Sequence, residues 1–430
     1  MTARVPSVVV SPVSLPRSAY LKKLNLSVLL SGGLVLPALA QPTFTPVGDL
    51  PGGSFFSECF GVSRNGQFVC GTSSVGANTQ AFLIENGTMS GLPDQGAYSL
   101  RTANAVANNG VVVGEAAGPN GTEAYKQSLR GSFRALGGTV PGGFFGSAAY
   151  GIGADGRRAC GSRELAGFKI EPCIWNGPSL SPLGYLTPSG FLGLALGVSS
   201  DGSVVVGSSD SAAGSEAFMW TEAGGMVSLG DLPGGSTDSE AAAVNDDGSV
   251  IVGKGRNTSA THAFRWAGGV MTDLGDLPGG IDLSKALGVS GDGSVVVGQA
   301  ADASGLVAFI WDASNGMRNL KSVLTAAGAT GLTGWTLRSA NAISADGKVI
   351  VGTGVNPAGN TEGWIVRFPD ACPADFNGDG FVDGFDYDDF VACFEGDPCP
   401  PGQDADYNND GFPDGFDYDE FVAAFEAGCL

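Results

Sequence analysis

The chain has 430 residues, of which 70 are glycine, 43% are hydrophobic and 15% are charged, and its formal net charge is −21. This length is long for one compact core but suits an array of repeated units, and the regular apolar runs exclude a disordered chain. The acidic balance repels phosphate backbones, which excludes nucleic acid as a partner.

The first forty residues contain no Asp or Glu and carry Arg4, Arg17, Lys22 and Lys23 ahead of an apolar stretch from Leu24 to Leu39. With Ala38-Leu39-Ala40 at its end, this order of basic, apolar and small residues predicts a secretory signal peptide over residues 1–40, cleaved before Gln41. A membrane anchor fits less well, because Ser31, Gly32, Gly33 and Pro37 interrupt a segment barely long enough to span. The expected mature protein is secreted, extracellular or at the cell surface, and does not span a membrane.

Residues 43–369 repeat one pattern seven times. An Asn/Asp-Gly dipeptide recurs at Asn65-Gly66, Asn109-Gly110, Asp155-Gly156, Asp201-Gly202, Asp247-Gly248, Asp292-Gly293 and Asp346-Gly347, with glycines 44, 46, 46, 46, 45 and 54 residues apart. A four-strand unit fits that period. Its first segment is a short small-residue strand such as Leu287 to Ser290, which the dipeptide turns as a two-residue hairpin. The second, such as Val250 to Val252, is apolar on both faces and therefore reads as fully buried; Gly253 closes it. The third carries Ala-aromatic-x-Trp, as at Ala217 to Trp220, Ala263 to Trp266 and Ala308 to Trp311, and the fourth is LGDLPGG, as at Leu229 to Gly235 and Leu274 to Gly280.

The eight cysteines of an exported chain, none in a CxxC pair, predict disulfides rather than thiolate metal sites. Cys59 and Cys70 flank one turn, and Cys160 and Cys173 lie on consecutive strands of the third repeat, so each is a candidate pair among the three connectivities that four cysteines allow. The first copy of the fourth segment, Val47-Gly48-Asp49-Leu50, precedes any first strand, while the seventh repeat ends after Trp364 to Arg367 without one. A closed ring needs that strand supplied by the other terminus. The expected fold is all-β: a seven-bladed β-propeller of four-stranded blades closed by the N-terminal strand, in preference to a β-sandwich array or β-helix.

The triplet His262-Ala263-Phe264, with GDLPGG and the DGxVVVG runs around it, resembles the HAF-repeat family of predicted extracellular bacterial proteins over about Phe44 to Phe368. That resemblance implies no established activity. The equivalents of His262 are Gln80, Glu123, Glu171, Glu216, Val307 and Glu362, and a position that accepts Glu, Gln and Val does not read as catalytic.

Catalytic acids in a repeat protein should stand out as departures from the repeat. Asp231 and Asp276 instead recur in the GDLPGG turn and read as structural, and a single histidine argues against Ser-His-Asp and multi-histidine metal chemistry in their usual forms. Five of the six tryptophans occupy the third-strand pattern and read as packing. Trp335, in the stretch Lys321 to Arg338 that lengthens the last spacing, has two readings: a ligand contact made with Arg338, or part of an added helix packed on the ring, which is preferred.

Residues 370–430 change composition: 17 of the 43 acidic residues lie between Asp370 and Glu426, and no Lys or Arg follows Arg367. Asp375, Asn377, Asp379, Phe381 (through its carbonyl), Asp383 and Asp386 take positions 1, 3, 5, 7, 9 and 12 of an EF-hand-like calcium loop, with Gly380 at the sharp turn. Asp406, Asn408, Asp410, Phe412, Asp414 and Asp417 repeat it, so two calcium ions are expected. Each loop leads into a short amphipathic helix bearing Tyr387, Phe390, Val391 and Phe394, then Tyr418, Phe421, Val422 and Phe425; a merely solvated acidic tail needs no such stripes.

This duplicated unit, ending in Gly428-Cys429, resembles a dockerin of the variant called GC-type, over about Cys372 to Leu430. The resemblance implies a small α-helical module that binds a cohesin-like protein or surface scaffold. Positions 10 and 11 depart from it, being Gly384-Phe385 and Gly415-Phe416 instead of small hydroxyl pairs. It is also compatible with a Cys372–Cys429 clasp and a Cys393–Cys399 bond. Two functions then compete: a non-catalytic binding or structural propeller, with a polysaccharide as one candidate ligand, anchored through this module; or a polysaccharide-degrading hydrolase or lyase on the propeller, targeted by the same module.

Overall fold

The computed structural model describes residues 41–129, 131–138, 143, 145–258, 260–369, 372–377, 382, 384–400, 403–408 and 410–427. It divides into two units, one reaching to residue 371 and one starting at Cys372. The predicted signal peptide lies outside the described residues. No helix among them is long and apolar enough to cross a membrane.

The first unit is built of four-stranded antiparallel meanders arranged like a propeller, two consecutive ones being joined into one eight-stranded sheet by a parallel pairing at Thr261↔Leu283. In the fifth, Glu240–Val244, Val250–Arg256, Thr261–Ala267 and Val270–Asp273 pair in sequence order. Six of the described sheet groups are continuous in sequence. The remaining group pairs the N-terminal strand Thr43–Pro46 with Thr361–Arg367, through Thr43↔Arg367 and Phe44↔Val366. Apolar runs stack one group on the next: Val250 and Val252 pack with Ala286 and Phe309 of the following group, while Ile251 packs with Val206 and Ala217 of the preceding one. That alternation is why the run is apolar on both faces. Val349, Val351 and Ile365 likewise pack against Val69 and Phe82, last group on first.

Hydrogen bonds from turn to turn follow the same circuit. Backbone N–H groups of Asn108, Ala154, Ser200, Asp246, Gly291 and Ala345 donate to the carbonyls of Ala154, Ser200, Asp246, Gly291, Ala345 and Arg64, at 2.7–3.2 Å. The Asn65 N–H reaches the Asn108 Oδ1 at 2.9 Å, so the circuit returns to its origin. Arg64 then spans from the first group to the fifth, its Nε donating to the Asp246 Oδ1 at 2.7 Å.

The hairpin turns differ from the two-residue form expected. The Ser290 N–H donates to the Val295 carbonyl and the Gly293 N–H to the Ser290 carbonyl, making a four-residue loop. The Ser290 hydroxyl accepts the Val295 N–H at 2.9 Å and donates to Asp292. Ser199 and Ser344 do the same, so the signature is Ser-x-Asp-Gly with the hydroxyl as a plug. The fourth strand also sits earlier than expected. It is Gly225–Gly230 or Val270–Asp273, and the closing strand is Thr43–Pro46 in place of Val47 to Leu50. A left-handed glycine (Gly48 at φ 71°, Gly230 at 81°, Gly275 at 72°) ends strand geometry, and GDLPGG is the crossing to the next group.

A serine at the start of the next first strand clasps that crossing. Ser284 donates to the Gly275 carbonyl and accepts the Ala263 N–H at 2.8 Å; Ser147 and Ser239 repeat this. Ser57 makes the same clasp between last group and first, accepting the Gly363 N–H and donating to Gly48. Ser57→Ala would strand the buried Gly363 N–H and the half-buried Gly48 carbonyl and is expected to cost about 1–3 kcal/mol, read as a lower denaturant midpoint with the β-sheet signal intact before the transition.

Both cysteine pairs expected in this unit are corrected: Cys59, Cys70, Cys160 and Cys173 are buried free thiols. Cys59 lies opposite Gly71, and Cys173 opposite Gly161, so each partner is one residue out of register and faces the other side of its sheet. Cys59 packs toward the last group and Cys70 toward the second. Burial pushes the Cys160 thiol up to about 12, where it is unreactive at neutral pH.

Trp335 is 5% exposed, edge-on to Phe44 at 5.1 Å, and packed with Leu320 and Leu324 of the helix Leu320–Ala326. The inserted stretch thus covers the closing strand, and the ligand-contact reading of Trp335 is corrected.

In the second unit two helices, Gly384–Glu395 and Gly415–Ala427, bring equivalent residues face to face. Phe390 stacks on Phe421 at 4.0 Å and 11°, Phe376 closes edge-on at 5.2 Å from Phe390, and the Tyr387 and Tyr418 hydroxyls hydrogen-bond each other. Cys393 is joined to Cys399. Cys372 is disulfide-bonded as well, and Cys429 lies outside the described residues.

Candidate functional site

Of the predicted calcium ligands, Asp375, Asn377, Asp386, Asp406, Asn408, Asp410, Phe412, Asp414 and Asp417 are described; Asp379, Phe381 and Asp383 lie outside the described residues. The second loop folds around its own acids. Asp406 accepts the Asp410 and Gly411 N–H groups at 3.0 and 2.7 Å, and Gly411 turns at φ 95°. Asn408 accepts from Asp410, and Asp410 from Phe412. Asp417, in the first turn of its helix, is fully buried, and its two oxygens accept the Asn408 and Asp414 N–H groups at 2.9 and 2.7 Å. Burial raises its carboxyl, but these donors outweigh that and hold the pKa below the ordinary value. Asp386, its equivalent, is also fully buried and accepts the Asn377 N–H at 3.0 Å.

These residues offer oxygen donors only, in a stretch whose sequence has no Lys or Arg, and among the described residues no three of their carboxylates come together around one point. Buried Asp417 is compensated here by N–H donors, while oxygen ligands at this spacing are the kind that a hard divalent ion takes.

In the first unit the recurring acids are mostly occupied by backbone. Asp231 accepts the Leu232, Asp238 and Arg256 N–H groups at 2.7, 2.6 and 3.0 Å, as its structural reading implies. The residues equivalent to His262 are connectors too: Glu362 accepts the Gly48 N–H, and Glu216 accepts from Ser211 and Ser228.

His262 differs. It is 8% exposed, its Nδ1 lies 2.8 and 2.9 Å from the two Asp273 oxygens, and its Nε2 meets the Asp282 carboxylate. Burial disfavours its charge, yet Asp282 and Asp273 outweigh burial and raise its pKa above the ordinary value. Asp276, in the crossing turn, stands beside this pair. The sequence signal for the grouping was three aspartates within ten residues after the one histidine-bearing strand, a departure hidden because Asp276 recurs as Asp231.

Arg338 lies apart from Trp335. With Phe56, Glu58, Phe60, Gln299 and Asn341 it lines a hollow of about 340 Å³ formed by the first, sixth and last groups. Burial raises the Glu58 carboxyl there.

No family model matches the chain, and no curated protein matches it. Among solved structures it is similar to TolB from Acinetobacter baumannii, at 10% identity over 71% of this chain and 81% of that one, with a TM-score of 0.40. An oligogalacturonate lyase from Vibrio parahaemolyticus aligns at 11% identity over 77% and 98%, with a TM-score of 0.49. The β-propeller domain of the Trilobed protease from Pyrococcus furiosus aligns at 11% over 72% and 95%, with a TM-score of 0.48. At these values the likenesses concern architecture and carry no chemistry.

Proposed function

We propose that the chain is a secreted, non-catalytic binding or structural protein: a closed seven-bladed propeller carried by a calcium-dependent, dockerin-like module that docks to a cohesin-like protein or surface scaffold. The observation that carries this reading is the paired unit itself, two acidic loops whose helices stack Phe390 on Phe421 while Asp386 and Asp417 are buried without any basic residue in the unit. Ring closure by Thr43–Pro46 and the turn-to-turn hydrogen bonds support the seven-bladed count. Phe385 and Phe416, equivalent and each 69% exposed, replace the small hydroxyl residues of the resembled family, so the docking partner is expected to present an apolar patch.

The mature chain should bind an immobilised cohesin panel in calcium and release in chelator. Phe385→Ala with Phe416→Ala should lose that binding while calcium uptake is kept. Calcium-independent binding, or none to any member, would refute docking. The enzymatic reading rests on the hollow around Glu58 and Arg338. Release of reducing ends from a glycan panel that disappears in Glu58→Gln would establish it in place of the non-catalytic one.

A further inference from the structure

We propose that His262, Asp276 and Asp282 bind one divalent transition-metal ion, with Asp273 orienting the imidazole. A ring nitrogen of His262 and one carboxylate oxygen each from Asp276 and Asp282 lie within 4.8 Å of one another. An imidazole with two carboxylates suits zinc or manganese better than the oxygen-only set that calcium takes. The carboxylate of Asp273 lies on Nδ1, the outer hydrogen bond by which metal-binding histidines are held in one tautomer, and that leaves Nε2 for the ion. Nε2 faces the Asp282 carboxylate, and two such electron-rich atoms need a cation between them: a proton, or a metal ion that replaces it.

The surroundings support a site. Thr261 and Leu283, each adjacent to a ligand residue, pair directly, so His262 and Asp282 ride on joined backbone. The grouping also departs from the repeat. Where the fifth repeat has His262, Asp273 and Asp282, the fourth has Glu216, Ser228 and Thr237, and its remaining acid, Asp231, is taken up by backbone N–H groups. Three protein ligands leave a coordination position open, and the Asp282 side chain is 44% exposed, so that position faces water.

The test uses untagged, full-length mature chain saturated with calcium, so that the acidic loops are filled, titrated with Zn²⁺ by calorimetry. One Zn²⁺ per chain is expected. His262→Gln, which copies Gln80 of the first repeat, should weaken binding at least about 100-fold, Asp273→Asn about tenfold, and Glu216→Gln not at all. Zinc binding that survives His262→Gln overturns the proposal. The chain's one histidine supplies a readout that needs no variant: its imidazole proton resonances must shift on adding one equivalent of Zn²⁺, and unchanged resonances overturn the proposal even if a variant fails to fold.

Discussion

Gly253→Ala is expected to destabilise the ring by about 3 kcal/mol, at the upper end of overpacking costs, and to lower the denaturant midpoint more than any other single methyl addition in that repeat. A Cβ at Gly253 would lie 1.9 Å from the Glu240 carbonyl oxygen. The cause is a bulge in the first strand, where the register slips between Ala241 and Ala243 and presses a carbonyl onto the second strand. Every repeat has this contact: Gly71 meets Glu58, Gly161 meets Ala148, Gly298 meets Lys285 and Gly352 meets Ser339, all at 1.9–2.1 Å. The opposing atom is backbone, so no rotamer change relieves it. At Gly71, Gly161, Gly298 and Gly352 the ring of Phe82, Trp175, Phe309 or Trp364 crowds the same space. Gly248 in the turn is different: its φ of 79° costs a side chain about 1–2 kcal/mol, and the atom it would meet, the Val204 methyl at 2.4 Å, belongs to a side chain and not to the backbone. An unchanged midpoint for Gly253→Ala would mean that the bulge relaxes freely, against the register found in all seven first strands.

The repeat was legible because its constraints are local: a turn every 44 to 46 residues until the last spacing of 54, an apolar run after it, and a glycine where two backbones touch. Register was not. Cys160 and Cys173 look like partners by strand order, but the turn sets Cys160 against Ile174, and a one-residue offset decides which face a side chain takes. The displaced terminal segment pointed to closure, yet the strand itself fell a few residues earlier, since Gly48 at positive φ cannot extend it. Contacts that join distant repeats left no trace in any single copy. Arg64 reaches Asp246, 182 residues on, only once the ring brings them together. For the acidic loops the opposite holds: spacing alone marks the candidate ligands, because the twelve positions of each loop fall within one short segment.

Calcium removal is expected to unfold the second unit while the ring stays folded. Each loop crowds four carboxylates into twelve residues, and the buried core behind them is small: Phe376, Phe390, Cys393, Ala405 and Phe421. A unit of this size rarely holds itself together by apolar burial, and the Cys393–Cys399 bond closes too short a loop to restrict the unfolded chain much. Calcium at 100 times its Kd contributes about 2.7 kcal/mol per site, hence about 5 kcal/mol for two, which is comparable to the whole stability of a small domain. Calorimetry should count two ions per chain, and Asp406→Ala should leave one. Asp417→Ala should do the same at greater structural cost, because it also frees the Asn408 and Asp414 N–H groups. In chelator the helical ultraviolet signal should fall and the Phe390–Phe421 stack should become accessible to protease, with the β-sheet transition unmoved. A helical signal and protease resistance indifferent to chelator would show that the acids are balanced without an ion and would remove the basis for calcium-dependent docking.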